Sequence, residues 1–411
     1  MADRTVSANS IGTERVVRVA YLVSHPIQYQ APMLKRIAAL PSIDLKVFFQ
    51  SDISTRTFFD TGFGRKIEWD VPLLDGYNYE FLRPALFGDV KITNWRPYNR
   101  GLLWRLWKGK YDILWVHGYY RPYNIAVIIA ASFLGVKVLI RDEATSISKD
   151  RIRRRDRGKT LMMQLFVLLG ARYLAIGSLN GAYYEALGVP KERIFLMPYC
   201  VDNIFFQERI RDAAARRETL RRELGIASGV PIILYASKFE RRKRPDDLIA
   251  AHRLLAKRTP AATVPYLLMA GEGEIRQALE DEVRKSGDDR ILFLGFQNQK
   301  ELPRLYDLCD VFVLPSVGEP WGLVVNEVMN ASKAVIVTDQ VGCAPDLIKN
   351  AQNGFIIPAQ DPEALAEALY KVVCQNGIAE EMGRQSIKII NEWNFDRDTA
   401  GLLSAIEAAL R

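Results

Sequence analysis

Short apolar runs alternate with amphipathic segments along almost the whole chain. The runs are rich in Val, Ile, Leu and aromatic residues, which is typical of strands, and the segments between them have helical spacing. This alternation predicts βαβ units whose parallel strands are covered by helices on both faces. The predicted strands form two groups of six, at residues 16–23, 44–49, 112–117, 136–141, 172–177 and 193–198, and at residues 231–237, 265–271, 291–296, 311–316, 334–339 and 354–359.

The length of the chain also favours two domains. A chain of 411 residues exceeds what one hydrophobic core usually serves, and 49% apolar with 25% charged residues is a globular composition. Residues 202–229, between the two groups of strands, carry a charged helical segment that ends at Gly225 and a Ser-Gly-Val-Pro turn. We therefore predict two doubly wound, Rossmann-like α/β domains at 1–205 and 206–391, with a last helix at about 392–411 packed back on the first.

Charge and cysteine content narrow the class of protein without choosing a ligand. The net charge of +8 and the isoelectric point near 9.2 are compatible with nucleic acid, an anionic membrane surface or phosphorylated small molecules. The four cysteines are far apart and form no CxxC pair, which favours reduced thiols in the cytoplasm. The first residues lack the pattern of a signal peptide and no window holds about 18 uninterrupted apolar residues, so we expect a soluble cytoplasmic protein.

A basic loop follows the predicted strand at 231–237. In open α/β sheets ligands bind outside the carboxyl ends of strands, so cations in this loop are placed to clasp a diphosphate. Judged by charge alone, a solvated basic loop is the alternative. The stretch "MAGEGEIR" that follows the next strand lacks the dinucleotide-binding spacing and predicts a tight turn at Gly271. The cations of the basic loop are Lys238, Arg241, Arg242, Lys243 and Arg244.

The stretch "GEPWGLVVNE" carries two carboxylates across a helix start. Pro320 keeps the first part out of a helix, so we expect Glu319 in a loop and Glu327 about one and a half turns into a helix. Glu319 can accept hydrogen bonds from sugar hydroxyls, and Glu327 can hold a vicinal diol such as a ribose. Taken separately, each has a second interpretation as a turn residue or a solvated helix residue. The orphan amides at the helix start, which are able to face a phosphate, belong to Gly322, Leu323 and Val324.

Polar residues of the first half also fall at the ends of predicted strands. His25 and His117 lie at two such ends, where structural hydrogen bonding is the alternative to a role in the site. Asp142 and Glu143 follow the strand at 136–141 and are the best first-half carboxylates for ligand binding or proton transfer. The first-half candidates for a site are His25, Gln28, Tyr29, His117, Asp142 and Glu143.

In order along residues 230–370, the segments "SKFERRKRPDDLIAAH", "LMAGEGEIRQALE" and "SVGEPWGLVVNEVMN" resemble the retaining GT-B glycosyltransferases of family 4, also called glycosyl transferases group 1. The pattern of that family is a pair of glutamates separated by seven residues, which here are Glu319 and Glu327. In the first half, "SHPIQYQAPMLKRI" resembles the N-terminal segment of a subgroup with a His-Pro-Ile-Gln-Tyr signature. One departure is Arg141-Asp142-Glu143, where the family often has a histidine.

The resemblance implies a GT-B fold, in which two Rossmann-like domains face a central cleft. It implies a UDP- or GDP-linked sugar as donor on the second domain, with no metal or other cofactor required. Lys238 and Lys243 would then bind the diphosphate, Glu327 the ribose and Glu319 the donor sugar. The sugar would be transferred with retention to a glycan or lipid-linked acceptor, and the first-half candidates would lie on the acceptor side. The expected donor site is completed by Ser237, Gly271, Phe296, Trp321, Gly322, Leu323 and Val324.

Other functions remain open at this stage. A nucleotide-sugar 2-epimerase would use the same architecture, and a nucleic-acid-binding protein would explain the charge of +8. A phosphorylase is disfavoured because we find no lysine context for a pyridoxal cofactor. Asp396-Arg397-Asp398 resembles the DxD metal motif of the other glycosyltransferase fold, but it precedes a helix, so capping and solvation explain it better than a metal site.

An anionic membrane surface is a further candidate partner. The segment "SKDRIRRRDRGK" places a basic cluster, which includes Arg153, Arg154 and Arg155, before an apolar helix. That arrangement is typical of proteins that lie on the inner face of a membrane, although a buried helix with a charged entry loop explains it as well. Five of the seven tryptophans precede residue 120, and we expect Trp69 and Trp115 in the core.

Overall fold

The computed structural model describes residues 15–85, 98–147 and 156–411. In the described residues, the first half of the chain contains one large parallel sheet and one short antiparallel hairpin. The strands are β1 (Val17–Val23), β2 (Ile43–Phe49), β3 (Phe58–Asp60), β4 (Arg65–Ile67), β5 (Asn78–Phe81), β6 (Ile113–His117), β7 (Lys137–Arg141), β8 (Arg172–Ala175) and β9 (Ile194–Leu196). The helices are α1 (Ala31–Ala38), α2 (Leu102–Lys108), α3 (Pro122–Phe133), α4 (Asp156–Leu168) and α5 (Ser178–Ala186).

The second half is built around another parallel sheet. Its strands are β10 (Ile232–Ala236), β11 (Tyr266–Ala270), β12 (Ile291–Gly295), β13 (Val311–Leu314), β14 (Ala334–Thr338) and β15 (Gly354–Ile357). The helices are α6 (Asn203–Ala214), α7 (Arg217–Glu223), α8 (Pro245–Ala256), α9 (Arg276–Ser286), α10 (Leu302–Leu308), α11 (Leu323–Met329), α12 (Ala344–Leu347), α13 (Pro362–Val373), α14 (Ile378–Asn391) and α15 (Phe395–Leu410).

The two large sheets are doubly wound. The spatial orders of the strands are β5-β2-β1-β6-β7-β8-β9 and β12-β11-β10-β13-β14-β15. In each sheet the strand order therefore reverses next to the first strand, β1 or β10. Central strands such as β10 and β11 are buried at every position, which explains why they appear as continuous apolar runs in the sequence. All twelve predicted strands are present, with ends that differ by up to two residues. The ligand-binding ends of both sheets follow from this topology.

Three strands of the first half escaped the sequence pattern. Among the described residues, strand β5 pairs with β2 alone, at the edge of the sheet. Its residues are exposed or half-buried, so they form no apolar run. Strands β3 and β4 form the antiparallel hairpin and are three residues long each. Such short, half-exposed strands give no period-2 signal, because that signal depends on one buried face.

The last helix packs on the first sheet. Leu402, Ala405 and Ile406 of α15 are buried in the same core cluster as residues of β1, β2, β6 and α1. Asp398 lies at the start of this helix with its side chain only 1% exposed, and it forms an ion pair of 3.2 Å with the equally buried Arg141. The cap of α15 is Asn394, whose side chain accepts a hydrogen bond from the amide of Arg397.

These contacts correct the interpretation of Asp396-Arg397-Asp398. Capping and solvation were expected there, but Asp398 is a buried structural carboxylate that fixes α15 to the end of β7. Burial raises the pKa of Asp398 to about 6, although Arg141 opposes this shift. Asp396 is exposed and pairs with Arg36 of α1. No local pattern indicates the contact with Arg141, because the two partners are 257 positions apart.

The predicted boundary between residues 205 and 206 lies inside α6, and it stays a prediction. The helix begins after Asp202, whose carboxylate accepts a hydrogen bond from the amide of Phe205, and its buried Phe206 belongs to a core cluster of the second half. The segment continues through α7 and stops at Gly225, which has a φ of +68° as a helix-ending glycine requires. All four cysteines are unpaired.

Candidate active site

A cavity of about 260 Å³ lies where the two halves of the chain face each other. The second half contributes the loops that follow β10, β11 and β12 and the first residues of α11, which meet because parallel strands end at the same edge of the sheet. The first half contributes the start of α1 and part of the segment that follows β2. Eight of the predicted site residues line this cavity: Gln28, Tyr29, Ser237, Gly271, Phe296, Leu323, Val324 and Glu327.

Two glycines allow the floor of this cavity to form. Gly271 has a φ of +142°, and a side chain there would begin 1.9 Å from the carbonyl oxygen of Ser237, so only glycine lets the two loops touch. Gly322, which precedes α11, has a φ of +95°, and an added Cβ would lie 2.9 Å from Leu314. These backbone positions bring Ser237 and Leu323 to the cavity surface.

Glu327 is the carboxylate of the cavity wall. It lies in α11, and one of its oxygens accepts a hydrogen bond of 2.5 Å from the hydroxyl of Tyr306. Burial raises the pKa of Glu327 to about 7, and the Tyr306 hydrogen bond offsets only part of that shift. Near neutral pH this carboxyl group is therefore divided between its protonated and ionised forms.

Glu319 lies in an oppositely charged environment. Its Oε2 contacts the ammonium of Lys243 and lies 2.9 Å from Nη1 of Arg242, and both Glu319 and Lys243 are 8% exposed. Burial alone would raise the pKa of the Glu319 carboxyl, but Lys243 and Arg242 outweigh it and hold that pKa below its usual range. Burial likewise lowers the pKa of Lys243 against the attraction of Glu319. Glu240 lies 2.9 Å from Nε of Arg242, so in the free protein two carboxylates compensate the two cations.

The Glu319 cluster lies beside the cavity rather than on its wall. A Cβ added at Gly322 would be 3.7 Å from Cγ of Glu319, and the next two residues, Leu323 and Val324, line the cavity. The carbonyl oxygen of Arg242 accepts a hydrogen bond of 2.7 Å from the amide of Val317, which ties the basic loop to the loop that holds Glu319. The two predicted motifs of the second half therefore meet in one place.

Lys238 faces the first half of the chain. Its ammonium lies 2.8 Å from Oδ1 of Asp60 and 4.5 Å from the ring centre of Phe63. Arg241 and Arg244 lie elsewhere in the basic loop, and Arg244 is bound by Asp247 of α8 through two hydrogen bonds. The cations of the basic loop are neighbours in the sequence, but in the structure their ion pairs are with different acidic side chains.

Trp321 is buried below the site and was expected to line it. Its side chain is 3% exposed, its ring stacks on Trp393 at 5.8 Å, and its indole nitrogen donates to Asn326 at 2.9 Å. Tyr199 contacts the same ring edge to face at 6.2 Å. The tryptophan therefore supports the loop from beneath and belongs to the core.

The first-half candidates meet around Glu143. Its Oε1 accepts hydrogen bonds from the hydroxyls of Tyr29, at 3.2 Å, and of Tyr199, and it lies 3.5 Å from Nε2 of His117. Burial would raise the pKa of Glu143, but the hydrogen bonds from His117, Tyr199 and Tyr29 lower it overall. Because Tyr29 also lines the cavity, this cluster is connected to it.

His25 and Asp142 are placed at the edges of that cluster. Nδ1 of His25 is 2.9 Å from the hydroxyl of Ser24, and burial, Arg121 and His117 together lower the pKa of His25 to about 4. His25 is therefore neutral near pH 7. The Asp142 carboxylate accepts a hydrogen bond of 2.8 Å from the amide of Glu143. The third histidine, His252, is buried on α8 with its Nε2 2.8 Å from the carbonyl oxygen of Pro265.

Several residues of the site were not predicted from the sequence. Phe63 and Trp69 of the first half line the cavity, so the expectation of a core position for Trp69 was wrong, whereas Trp115 is fully buried as expected. Asp60, Tyr199 and Tyr306 hold predicted site residues in place. Each lies far along the chain from its partner, so no local motif signals the contact.

No arrangement of three or more His, Cys, Asp or Glu side chains suited to a metal ion is found in residues 15–85, 98–147 and 156–411. Within the same residues, no helix is long and apolar enough to cross a membrane. The basic cluster at Arg153, Arg154 and Arg155 lies outside the described residues.

Comparison with known proteins points to one family for the second half. Residues 216–389 match the family model described as glycosyl transferases group 1. An uncharacterized glycosyltransferase of Methanocaldococcus jannaschii is 31% identical over 191 residues, which are 46% of this chain and 46% of that protein. A D-inositol 3-phosphate glycosyltransferase of Nocardia farcinica is 26% identical over 231 residues, or 55% of this chain and 50% of that protein. The chain thus spans about half the length of the curated relatives it matches.

Solved structures extend the likeness to both halves. A glycosyltransferase from Rickettsia africae superposes with a TM-score of 0.70 at 15% identity, covering 96% of this chain and 99% of that one. Anabaena HepE in complex with UDP-glucose superposes with a TM-score of 0.64 at 16% identity, covering 94% of this chain and 99% of that one. Nothing in these comparisons supports the nucleotide-sugar 2-epimerase alternative. The match to glycosyl transferases group 1 therefore covers the second half of the chain, and the described residues as a whole have the GT-B fold.

Proposed function

We propose that the protein is a glycosyltransferase that takes a sugar from a UDP- or GDP-linked donor and transfers it, with retention, to a glycan or lipid-linked saccharide. The observation that carries this proposal is the cavity between the halves, where the loops after three parallel strands and the Glu327 carboxylate surround one space. The HepE protein, whose fold this chain shares, is described in complex with UDP-glucose. We assign the nucleoside of the donor to this cavity and its ribose hydroxyls to Glu327.

The diphosphate and the donor sugar are assigned to the neighbouring basic cluster. Negative charge grows on the β-phosphate oxygen as the sugar leaves, and fixed cations in a water-poor site stabilise it by roughly 3 kcal/mol for each well-placed donor. Lys243 and Arg242 are such cations, and Glu319 holds both before any ligand arrives. Lys243 is buried, whereas the Arg242 side chain is 45% exposed. Glu319 accepts hydroxyl groups of the sugar. Because these side chains supply the positive charge, our proposal needs no metal ion in the reaction.

The acceptor is assigned to the first half of the chain, around Glu143. This carboxylate is hydrogen-bonded by two tyrosines and lies beside His117, which gives a saccharide both acceptors and donors of hydrogen bonds. Tyr29 joins this cluster to the cavity, so an acceptor bound there lies next to the donor. In a transfer with retention, the acceptor hydroxyl attacks from the face that the phosphate leaves, and a phosphate oxygen takes its proton.

Ligand-induced thermal stabilisation tests the donor class. The protein is heated with UDP, GDP and their common sugar conjugates, and the same panel is applied to Glu327→Ala and Lys243→Ala. We expect one nucleotide to raise the melting temperature of the wild type and to lose that effect in both variants. If that nucleotide stabilises both variants as much as it stabilises the wild type, the site assignment is contradicted. Salt-sensitive binding of RNA without any response to nucleotides would favour a nucleic-acid-binding protein instead.

We also propose that the protein attaches peripherally to an anionic membrane. Helices α2 and α4 pack by Leu102, Leu106, Met163 and Phe166 into one core cluster on the same face of the first sheet. The sides of α2 and α4 that face away from this core expose apolar residues to solvent, which is unusual for the surface of a monomeric soluble protein. Lys108 lies 4.7 Å from the ring of Trp104, so basic and aromatic groups are interleaved. The exposed residues are Trp104, Trp107, Leu161, Leu165 and Leu168.

Vesicle flotation tests this attachment. The wild type is floated with vesicles of phosphatidylcholine alone and with added phosphatidylglycerol, and the binding is compared with Trp104→Ser/Trp107→Ser and with Arg153, Arg154 and Arg155 changed to glutamine. We expect flotation only with the anionic lipid, and a loss of binding in both variants. Unchanged flotation of both variants would contradict the assignment of this surface.

A further inference from the structure

A strap from the first half, residues 58–70, closes over the loops that follow β10 and β12. Phe63 of this strap contacts Phe296 edge to face at 5.0 Å, and the guanidinium of Arg65 lies 5.2 Å from the same ring. The side-chain amide of Asn298 donates to the carbonyl oxygen of Glu68 at 2.8 Å. The strap thus reaches across the cleft and completes the cavity wall with Phe63 and Trp69.

Asp60 makes the one ion pair between the strap and the basic loop within the described residues. Its Oδ1 lies 2.8 Å from the Lys238 ammonium and also accepts hydrogen bonds from the amides of Gly62 and Phe63, at 2.8 and 3.0 Å. The side chains of Asp60 and Lys238 are only 18% and 29% exposed. The amides of the turn therefore hold the Asp60 carboxylate in place, and the side chain of Lys238 extends to it.

The ammonium of Lys238 is enclosed by the strap. Asp60 binds it on one side, and the ring of Phe63 lies 4.5 Å away on another. The main chain closes a third side, because a Cβ added at Gly62 would lie 2.6 Å from Nζ of Lys238. Ser237 lines the cavity, whereas Lys238 lies outside it. In the free protein the Lys238 ammonium is therefore bound by the strap and is not part of the cavity wall.

We propose that Asp60 occupies, in the free protein, the place at Lys238 that the diphosphate of the donor takes on binding. This inference rests on the donor site proposed above, and it adds Lys238, of the same basic loop, to the cations that bind the diphosphate. Carboxylate and phosphate oxygens accept hydrogen bonds from the same N–H donors. Two anions that bind one ammonium at the same time repel each other. Asp60 is therefore a positioning residue that sets donor affinity through Lys238. The donor has to exchange one anionic partner of the lysine for another.

Asp60→Asn tests the exchange without disturbing the turn, because the asparagine oxygen still accepts from Gly62 and Phe63. Binding of UDP and of GDP is measured by calorimetry for the wild type, Asp60→Asn, Lys238→Ala and the double variant. Whichever diphosphate binds the wild type is expected to bind Asp60→Asn about threefold to tenfold more tightly, which is the range for a half-buried ion pair. On the Lys238→Ala background the same substitution should change nothing.

Two controls separate this effect from a general change in the strap. The nucleoside without phosphates should bind Asp60→Asn and the wild type equally. Asp70→Asn removes a strap carboxylate that accepts a hydrogen bond of 3.1 Å from the main-chain amide of Lys300 and, in the part of the chain that the structure describes, forms no ion pair with a lysine. This variant should leave the affinity for the diphosphate unchanged.

The outcomes distinguish this inference from the proposed function. If neither UDP nor GDP binds the wild type, the donor site and the role of Asp60 are both overturned. If a diphosphate binds the wild type and Lys238→Ala weakens it, but Asp60→Asn binds equally or more weakly, only the exchange is overturned. Tighter binding that persists in the double variant would also overturn it, since the effect would not act through Lys238.

Discussion

Glu319 and Glu327 belong to one ten-residue stretch, residues 318–327, but lie in opposite electrostatic environments. Glu319 is held by Lys243 and Arg242 and has a lowered pKa. Glu327 has a tyrosine hydroxyl as its hydrogen-bond partner, and burial raises its pKa to about 7. The turn before α11 produces this difference, because it directs one carboxylate to the basic loop and the other to the cavity wall.

The comparison shows how one motif can divide two tasks. A carboxylate that is already compensated by cations organises those cations and keeps its charge at every pH near neutrality. A carboxylate without a cation exchanges a proton near pH 7 and gains its charge when hydroxyl donors arrive. We infer that Glu319 positions the cations that bind the diphosphate, and that Glu327 becomes ionised when it binds the nucleoside.

The largest effect is expected from Lys243→Ala. The substitution leaves the Glu319 carboxylate buried with only Arg242, so we expect the free energy of unfolding to fall by about 3 kcal/mol. Sugar transfer should fall at least about 100-fold, because a cation that stabilises the leaving phosphate is lost. Chemical denaturation and a transfer assay measure the two quantities. Lys257→Ala, at an exposed lysine, is the control, and equal behaviour of the two variants would contradict the role of Lys243.

Glu327→Gln should separate binding from folding. The neutral amide suits the buried position, so the stability at pH 7 should stay within about 1 kcal/mol of the wild type. Donor affinity should fall about tenfold to 100-fold, because hydrogen bonds from the ribose to a charged acceptor are lost. Calorimetry and denaturation test both expectations. A stable variant that binds the donor as well as the wild type does would remove Glu327 from the site.

The pKa of Glu327 predicts opposite pH dependences for stability and for donor binding. The folded-state pKa is raised above the ordinary value, so the folded state binds more protons than the unfolded state between about pH 4.5 and 7, and this carboxyl contributes less stability as pH rises. Donor binding needs the ionised form and should strengthen about tenfold from pH 6 to pH 8. In Glu327→Gln the contribution of this carboxyl to the stability slope should disappear, and so should the pH dependence of donor binding between pH 6 and pH 8. A nucleotide sugar is the suitable ligand, since it lacks a terminal phosphate that titrates in this range.

Tyr306→Phe should give the smallest effect. The Tyr306 hydroxyl stabilises ionised Glu327, so its removal should raise the pKa of Glu327 further and shift the pH profile of donor binding upward by about half a unit to one unit. Tyr173→Phe removes a buried hydroxyl that donates to the carbonyl oxygen of Met163 in the first half, and it should leave the profile in place. A downward shift in Tyr306→Phe would contradict the assigned cause.

The sequence predicted the parts of the fold that depend on local pattern. The twelve strands that form apolar runs were found, as were the glutamate pair and the basic loop, because each is a short run with its own period or spacing. Strand β5 and the hairpin of β3 and β4 were missed because they are short and half-exposed. Local pattern therefore identified both large sheets except for the edge strand β5, and it missed the separate hairpin.

Contacts between distant residues escaped prediction. Asp60 meets Lys238 across 178 positions and Arg141 meets Asp398 across 257, and in neither case does the sequence near one partner signal the other. The same holds for Trp69, which looked like a core residue but lines the cavity because the strap crosses the cleft. Trp321 is the opposite case. Its place in the motif predicted a ligand contact, but its ring is stacked on another tryptophan in the core.

A crystal structure of the protein with the nucleoside diphosphate that stabilises it most tests the central claim directly. Our account predicts density for the nucleotide in the cavity between the halves, with ribose hydroxyls about 3 Å from the Glu327 carboxylate and the diphosphate beside Lys243 and Arg242. A nucleotide bound elsewhere, with Glu327 free of the ribose and Glu319 unchanged among its cations, would contradict it.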